Sequence, residues 1–120
     1  MARIIKICGQ DLTLKYSMHA ATAYEKMTGR NALDLAQFQP DEENPNIIPV
    51  APLSELGYCM LLGANDLQKL GIDLETMLND LDTKEKMFNF LHEVSQELLA
   101  FYQPDKTADP EKQEDAAKNA

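Results

Sequence analysis

The two histidines and two cysteines of this sequence are the first candidates for a metal ligand, a general base or a nucleophile. His19 and His92 each lack a second histidine, cysteine or carboxylate at a spacing typical of zinc sites. Cys8 and Cys59 each lie in an apolar pattern, which is typical of buried free thiols in a reducing compartment. The sequence therefore predicts no metal site and no cofactor.

The acidic segment Asp80-x-Asp82-x-Lys84 has the beginning of a calcium-binding EF-hand loop but not the rest of it. The sixth position is Glu85 where the loop needs glycine, and the twelfth is Leu91 where it needs glutamate. The chain also contains no glycine-rich phosphate loop and no nucleophile elbow. We predict that the protein is not an enzyme and has no catalytic residues.

Size and charge limit the remaining classes. A chain of 120 residues forms one hydrophobic core. A net charge of −9 disfavours binding to nucleic acid and to anionic membranes, although it also favours a basic partner segment. No apolar run is long enough to span a bilayer, and the N-terminus lacks the pattern of a signal peptide. These features predict a cytoplasmic protein.

The most regular pattern in the chain predicts a long helix over 82–102. Asp82 is the predicted N-cap, Glu85 completes a capping box, and Pro104 prevents the helix from continuing. Its apolar residues recur at helical spacing, and this pattern predicts that they form the centre of the core. They are Met87, Leu91, Val94, Leu98 and Phe101.

The apolar side of this helix is wider than one core requires. Phe88, Leu99 and Tyr102 lie off the centre of the stripe, and the opposite arc, which includes His92 and Glu97, is polar. Two interpretations follow: two neighbouring elements of the same domain cover the wide face, or the off-centre residues contact another protein. Phe88, Leu99 and Tyr102 are the candidate partner-binding residues.

The first sixteen residues predict a β-hairpin over 3–16. Ile5 and Ile7 share one face of the first strand, and Leu12, Leu14 and Tyr16 alternate along the second. The segment Gly9-Gln10-Asp11 is the predicted turn. Because a lone hairpin is marginal in water, one face is expected to lie on helices.

The helices that cover the hairpin are predicted within residues 18–102. Ser17 caps a helix over 18–28 that ends at Gly29 and turns Ala20, Ala23, Tyr24 and Met27 inward. A short helix follows Asn31 with Leu33, Ala36 and Phe38 on it, and another starts at Pro52. Gly57 and Gly63 in the latter indicate an element crossing closely. Asp66 begins a further turn that ends at Gly71, and Asp73 caps 74–81, with Leu74, Met77, Leu78 and Leu81 inward.

The predicted fold class is α+β, mainly helical: an N-terminal β-hairpin packed on a bundle of four or five helices with a long C-terminal helix. The predicted domain covers 1–102. Residues 39–52 contain four prolines and predict a loop in which Ile47, Ile48 and Val50 pack on the body. Residues 103–120 have no large apolar side chain and predict a polar, disordered tail.

The order of these elements resembles the phage tail assembly chaperone family of long-tailed bacteriophages and prophages. The resemblance covers the layout of residues 3–102. Its local signature is a Glu-x-x-Thr-Gly sequence at the end of the first helix, which is Glu25-Lys26-Met27-Thr28-Gly29 here.

The resemblance implies a non-enzymatic chaperone that binds the hydrophobic, helical tape-measure protein and keeps it soluble while the tail tube polymerises. It also implies the cytoplasm of a bacterial host as the location. The alternative is a small protein-interaction or regulatory adaptor domain that associates with another protein, or with itself through the last helix, as a homo-oligomer.

Overall fold

A computed structural model describes residues 3–40, 42–44 and 48–102 of the chain. In the described part, two antiparallel strands precede five α-helices, and the predicted fold class is confirmed. The strands are β1 (Arg3–Ile7) and β2 (Gln10–Leu14). The helices are α1 (Met18–Thr28), α2 (Val50–Ala64), α3 (Leu67–Leu70), α4 (Leu74–Asp80) and α5 (Lys84–Tyr102). The tail predicted for 103–120 lies outside the described residues.

The hairpin turn is shorter than predicted. It consists of Cys8 and Gly9, both with positive φ (52° and 77°), while Gln10 and Asp11 belong to β2. Two positive φ angles are typical of the type I′ turn, whose twist matches that of the strands. The amide of Cys8 donates to Asp80 Oδ2 at 2.9 Å, which connects the turn to the end of α4.

One face of the hairpin is buried, as its alternation predicts. Its apolar side chains are at most 5% exposed, whereas Ile4 on the opposite face is 65% exposed. The buried set is Ile5, Ile7, Leu12, Leu14 and Tyr16. The hairpin thus covers one side of the helices, as expected for a two-stranded sheet that is not stable alone.

The outward edge of β2 is bonded to the end of α2. The side chain of Asn65 accepts from Thr13 N at 3.0 Å and donates to Thr13 O at 2.8 Å. The same amide nitrogen donates to Leu61 O at 2.9 Å. One asparagine therefore satisfies the free backbone groups of Thr13 as a third strand would.

The boundaries of α1 agree with the prediction. Ser17 Oγ accepts from Ala20 N at 3.3 Å, and Gly29 closes the helix at φ 76° with its amide bonded to Glu25 O at 2.8 Å. Tyr24 is buried, but Met27 is 41% exposed and does not belong to the inward stripe.

The predicted short helix after Asn31 is a single 3₁₀ turn, Leu35–Phe38, capped by Asp34. Phe38 is buried, but Leu33 precedes the turn and is 61% exposed, so its predicted place on the short helix is wrong.

Helix α2 is the centre of the core. It begins at Val50, two residues before the predicted start at Pro52, and buries Leu53, Leu56, Cys59, Met60 and Leu61. A Cβ on Gly57 would lie 2.5 Å from Phe90 Cζ and 2.7 Å from Val94 Cγ2. The predicted close crossing is therefore confirmed at Gly57, and the crossing element is α5.

Of the loop residues expected to pack on the body, Ile48 is half-buried, Val50 is exposed within α2, and Ile47 lies outside the described residues.

Helices α3 and α4 begin at the predicted aspartates. Asp66 accepts from Lys69 N and Asp73 from Thr76 N, and Gly71 ends α3 at φ 73°. Met77 is buried, as predicted, whereas Leu78 is 40% exposed, so its inward assignment is wrong.

Helix α5 begins two residues later than predicted. Thr83 accepts from Lys86 N at 3.2 Å and serves as the cap in place of Asp82, whose carboxylate lies 3.4 Å from Lys86 Nζ. The predicted capping box between Asp82 and Glu85 is not found in the described part of the chain.

The buried face of α5 also differs from the predicted seam. Leu91, Val94 and Leu98 are buried, but Met87 and Phe101 are about half exposed (47% and 50%). The 19-residue α5, about 28 Å long, meets α2 most closely at Phe90 and Val94, near its middle, and Met87 and Phe101 lie on either side of this contact. Phe90 and Glu97 complete the buried face instead.

Candidate partner-binding surface

The off-centre residues of α5 are not covered by the described part of the domain. Phe88 is 49% exposed and Leu99 is 44% exposed. They lie on the same side of α5, roughly 16 Å apart along its axis. Neighbouring elements therefore do not share the whole apolar face. The role of these residues in partner binding stays a prediction.

Phe88 forms a ridge between two cavities. The first, of about 270 Å³, is the α4-side cavity, where α5 meets α4 and the start of α2. The second, of about 370 Å³, is the loop-side cavity, where α5 meets Phe38 and the residues before α2. Phe88 and Leu91 line both cavities. A partner that contacts Phe88 can therefore place side chains on either side of it.

Three further exposed apolar side chains surround the α4-side cavity. Val50 is 56% exposed, Met87 is 47% exposed and Leu78 is 40% exposed. We call these three residues and Phe88 the Phe88 surface. Single exposed apolar residues are ordinary, but four side chains around one cavity indicate an interaction site.

The start of α5 adds one positive charge to this surface. Lys84 Nζ lies 5.9 Å from the centre of the Phe88 ring, within the range of a cation–π contact. The ammonium group covers part of one face of the ring. The Phe88 surface is therefore apolar at its centre and charged at its rim, the usual composition of protein interfaces.

Tyr102 is bound within the domain. Its hydroxyl lies 3.4 Å from that of Tyr16, and the two ring centres are 5.9 Å apart. Burial, and the contact with Tyr102, raise the pKa of the Tyr16 hydroxyl well above its usual value. The structure does not bring Tyr102 next to Phe88, which lies at the other end of α5.

Glu97 is a buried carboxylate that the sequence pattern assigns to the polar arc, and this assignment is wrong. Its side chain is 5% exposed, and Oε2 accepts from Tyr16 N at 3.2 Å. Arg3 Nε lies 3.7 Å from Oε1, and Oε1 itself has no hydrogen-bond partner. Arg3 also donates to Glu93 Oε1 at 3.0 Å. The guanidinium group thus joins the first strand to two successive turns of α5.

Both cysteine thiols have a raised pKa. Burial raises the pKa of the Cys59 thiol to about 12, with a smaller contribution from the charge of Glu55. Burial and the nearby Asp80 also raise the pKa of Cys8, which is half-buried. Because the thiolate is the nucleophilic form, both thiols are less reactive at neutral pH than an ordinary cysteine. Within the described ranges, no group of three metal-ligating side chains is found.

Comparisons with known proteins add no family to this description. No protein-family model, curated protein or solved structure matches the chain. None of the helices in the described part is long and apolar enough to cross a membrane.

Proposed function

We propose that this protein is a non-enzymatic tail assembly chaperone of a phage or prophage, which binds the tape-measure protein through the Phe88 surface. In this function it works in the cytoplasm of the bacterial host and keeps a long, hydrophobic helical protein soluble until the tail tube encloses it. The observation that carries the proposal is the half-exposed ring of Phe88 between two cavities.

The geometry of the Phe88 surface suits an amphipathic helix. Such helices bind in grooves by placing apolar side chains one or two turns apart into adjacent pockets. The α4-side cavity and the loop-side cavity flank one aromatic ring and so supply two adjacent pockets. A helical partner can pack on Phe88 and insert a side chain on each side.

The charge of the chain supports a chaperone role. A net charge of −9 keeps a complex with a hydrophobic partner in solution and favours partners with basic segments. The signature Glu25-Lys26-Met27-Thr28-Gly29, on which the resemblance depends, forms the last turn of α1 and its left-handed cap.

Co-expression tests this proposal. If a tape-measure protein is encoded beside this gene, it should be more soluble when the two proteins are produced together. Phe88→Asp with Leu99→Asp should weaken the effect, because charges on an apolar contact surface must be desolvated on binding. The soluble fraction of the tape-measure protein is the measurement.

The matched control places the same two charges on other faces of the molecule. Ile4 and Met27 are exposed apolar residues (65% and 41%) that lie outside the Phe88 surface. Ile4→Asp with Met27→Asp should leave solubilisation intact. If both double variants keep their circular dichroism spectra and solubilise equally well, the Phe88 surface does not bind the tape-measure protein.

A second function, an adaptor that self-associates through α5, is favoured by the exposed ends of that helix. Met87 and Phe101 are about half exposed, although both have the helical spacing of core residues. Light scattering across a concentration series distinguishes the two functions, since the adaptor dimerises without any partner. The absence of a tape-measure reading frame downstream of the gene would also favour the adaptor.

A further inference from the structure

A second apolar groove lies at the other end of α5, where its last turn approaches α1. Its walls are one face of α1, the segment after Gly29, and the ring of Phe101. The groove has a volume of about 170 Å³. A cavity of about 150 Å³ holds a benzene ring, so this groove has room for one large apolar side chain.

The α1 wall follows helical spacing. Met18, Ala21, Thr22 and Glu25 occupy positions i, i+3, i+4 and i+7, which form one continuous face. Met18 is 78% exposed, and Thr22 and Glu25 are also exposed, whereas Ala21 is half-buried against the core and forms the floor of this face. The face is therefore available to a helix that lies along α1.

Two further exposed apolar side chains border the same groove. Leu33 is 61% exposed and Phe101 is 50% exposed. Tyr16 fixes the Phe101 ring edge to face, with ring centres 4.7 Å apart. The apolar part of the groove is thus held in place before any partner binds.

Glu25 is the one charged residue among the described residues that line this groove. Its carboxylate is exposed, and no hydrogen bond or ion pair to it is found within the described part of the chain. It also lies toward the C-terminal end of α1, where the helix dipole favours cations over anions. A partner cation at this position would gain the attraction of both the carboxylate and the helix end.

We propose that this groove binds a cationic amphipathic helix, which inserts one large apolar side chain beside Phe101 and pairs a lysine or arginine with Glu25. Residues 103–120 of the chain do not fit this description, because they contain lysines but no large apolar side chain. A second copy of the chain, with its net charge of −9, is not the cationic partner either, so the occupant is a helix of another protein.

The site is separate from the Phe88 surface and does not depend on the function proposed for it. Phe101 is thirteen residues beyond Phe88, which places it about 20 Å further along α5 and roughly 140° around the axis. One chain therefore presents two apolar binding sites on different faces.

Nuclear magnetic resonance of the full ¹⁵N-labelled chain tests the proposal. The probe is a synthetic helical peptide of leucine and lysine with leucines on one face, and a leucine–glutamate peptide of the same pattern is its control. Only the lysine peptide should shift the amides of 18–25 and Leu33. Glu25→Gln should weaken its binding about threefold, and Glu25→Lys about tenfold, as expected for loss and reversal of an exposed charge pair.

Three variants locate the site. Glu75 is an exposed acid on α4 and a matched control, so Glu75→Gln should leave the affinity unchanged. Leu33→Ser should weaken binding, whereas Phe88→Asp should not. The proposal is overturned if no shifts appear up to about 1 mM peptide, the weak limit of specific binding. It is also overturned if shifts map to the Phe88 surface, if both peptides bind equally, or if Glu25→Gln and Glu75→Gln behave alike.

Discussion

The crossing of α2 and α5 at Gly57 can be tested by adding one methyl group. In Gly57→Ala the new Cβ would lie 2.5 Å from Phe90 Cζ and 2.7 Å from Val94 Cγ2. The preferred separation of two carbons is ~3.5–4.0 Å, so the helices must move apart by about 1 Å. Phe90 is 1% exposed, and its ring can relieve the clash only by turning toward the α4-side cavity, which it also lines.

The expected magnitude is the difference between two effects. Overpacking of this kind costs ~1–3 kcal/mol, and replacing a helical glycine with alanine returns about 1 kcal/mol. Gly57→Ala should therefore lower the free energy of unfolding by about 0–2 kcal/mol, the difference of those two ranges.

Gly63, in the same helix, is the matched control. Its added Cβ would meet the imidazole of the exposed His19, the nearest atom being Nδ1 at 3.0 Å, and this side chain can rotate away. Gly63→Ala should be stabilising by about 0.5–1 kcal/mol, because the propensity gain is then nearly unopposed.

Urea denaturation followed by circular dichroism measures both variants. Because Phe90 supplies two of the three nearest atoms at Gly57, adding Phe90→Leu should recover part of the loss in Gly57→Ala. If the two alanine variants are equally stabilised, or if Phe90→Leu and Gly57→Ala act additively, the close contact described here is wrong.

Three further predictions concern other parts of the molecule. Arg3→Met should lower the free energy of unfolding by about 1–3 kcal/mol, because it leaves the buried carboxylate of Glu97 without a cation. In a double-mutant cycle by urea denaturation, Glu97→Gln should reduce that loss, and additive effects would contradict the pairing. Phe90→Ala should cost ~3–5 kcal/mol and Phe88→Ala well under half of that by the same assay, because only Phe90 is fully buried. The pKa of Cys59 rises on folding from 9.0 to about 12, so the unfolded state deprotonates first and stability should fall as pH rises from 9 toward 12. Cys59→Ala should make this fall shallower, and an unchanged slope would show that the pKa of the thiol does not change on folding.

The elements that depend on local chemistry follow from the sequence. Ser17, Asp66 and Asp73 cap helices because a side-chain oxygen within three residues can accept a free amide. Gly29 and Gly71 end helices because both adopt positive φ. These contacts need no information from the rest of the fold.

The features that were not predicted depend on distant partners. Glu97 is buried because Tyr16 N and Arg3 meet it from the hairpin, across 81 and 94 positions of sequence. Phe90 is buried because Gly57 lacks a side chain on the facing helix. Periodicity correctly predicts that α5 has an apolar side, but which residues of that side are buried depends on where α2 contacts it, at Phe90 and Val94.

For the candidate partner residues, too, the local pattern predicts some features and contacts with distant residues decide the others. Angular position alone separates Phe88 and Leu99 from the main stripe, and both are exposed in the structure. Tyr102 has a similar position but contacts Tyr16, which the pattern of α5 cannot reveal. The cavities beside Phe88 involve α2, α4 and Phe38, and no pattern within one helix contains them.

The bonds of Asn65 to the second strand affect how free chains meet one another. A two-stranded sheet has unpaired backbone groups along both outer edges, and such edges recruit strands from other molecules and lead to aggregation. Asn65 occupies the amide and the carbonyl of Thr13, the fourth of the five residues of β2, so an incoming strand would have to displace it before pairing in register. One side chain from the helical part thus closes this edge against chain-to-chain strand pairing, and the edge of the sheet that stays open to another strand is that of β1.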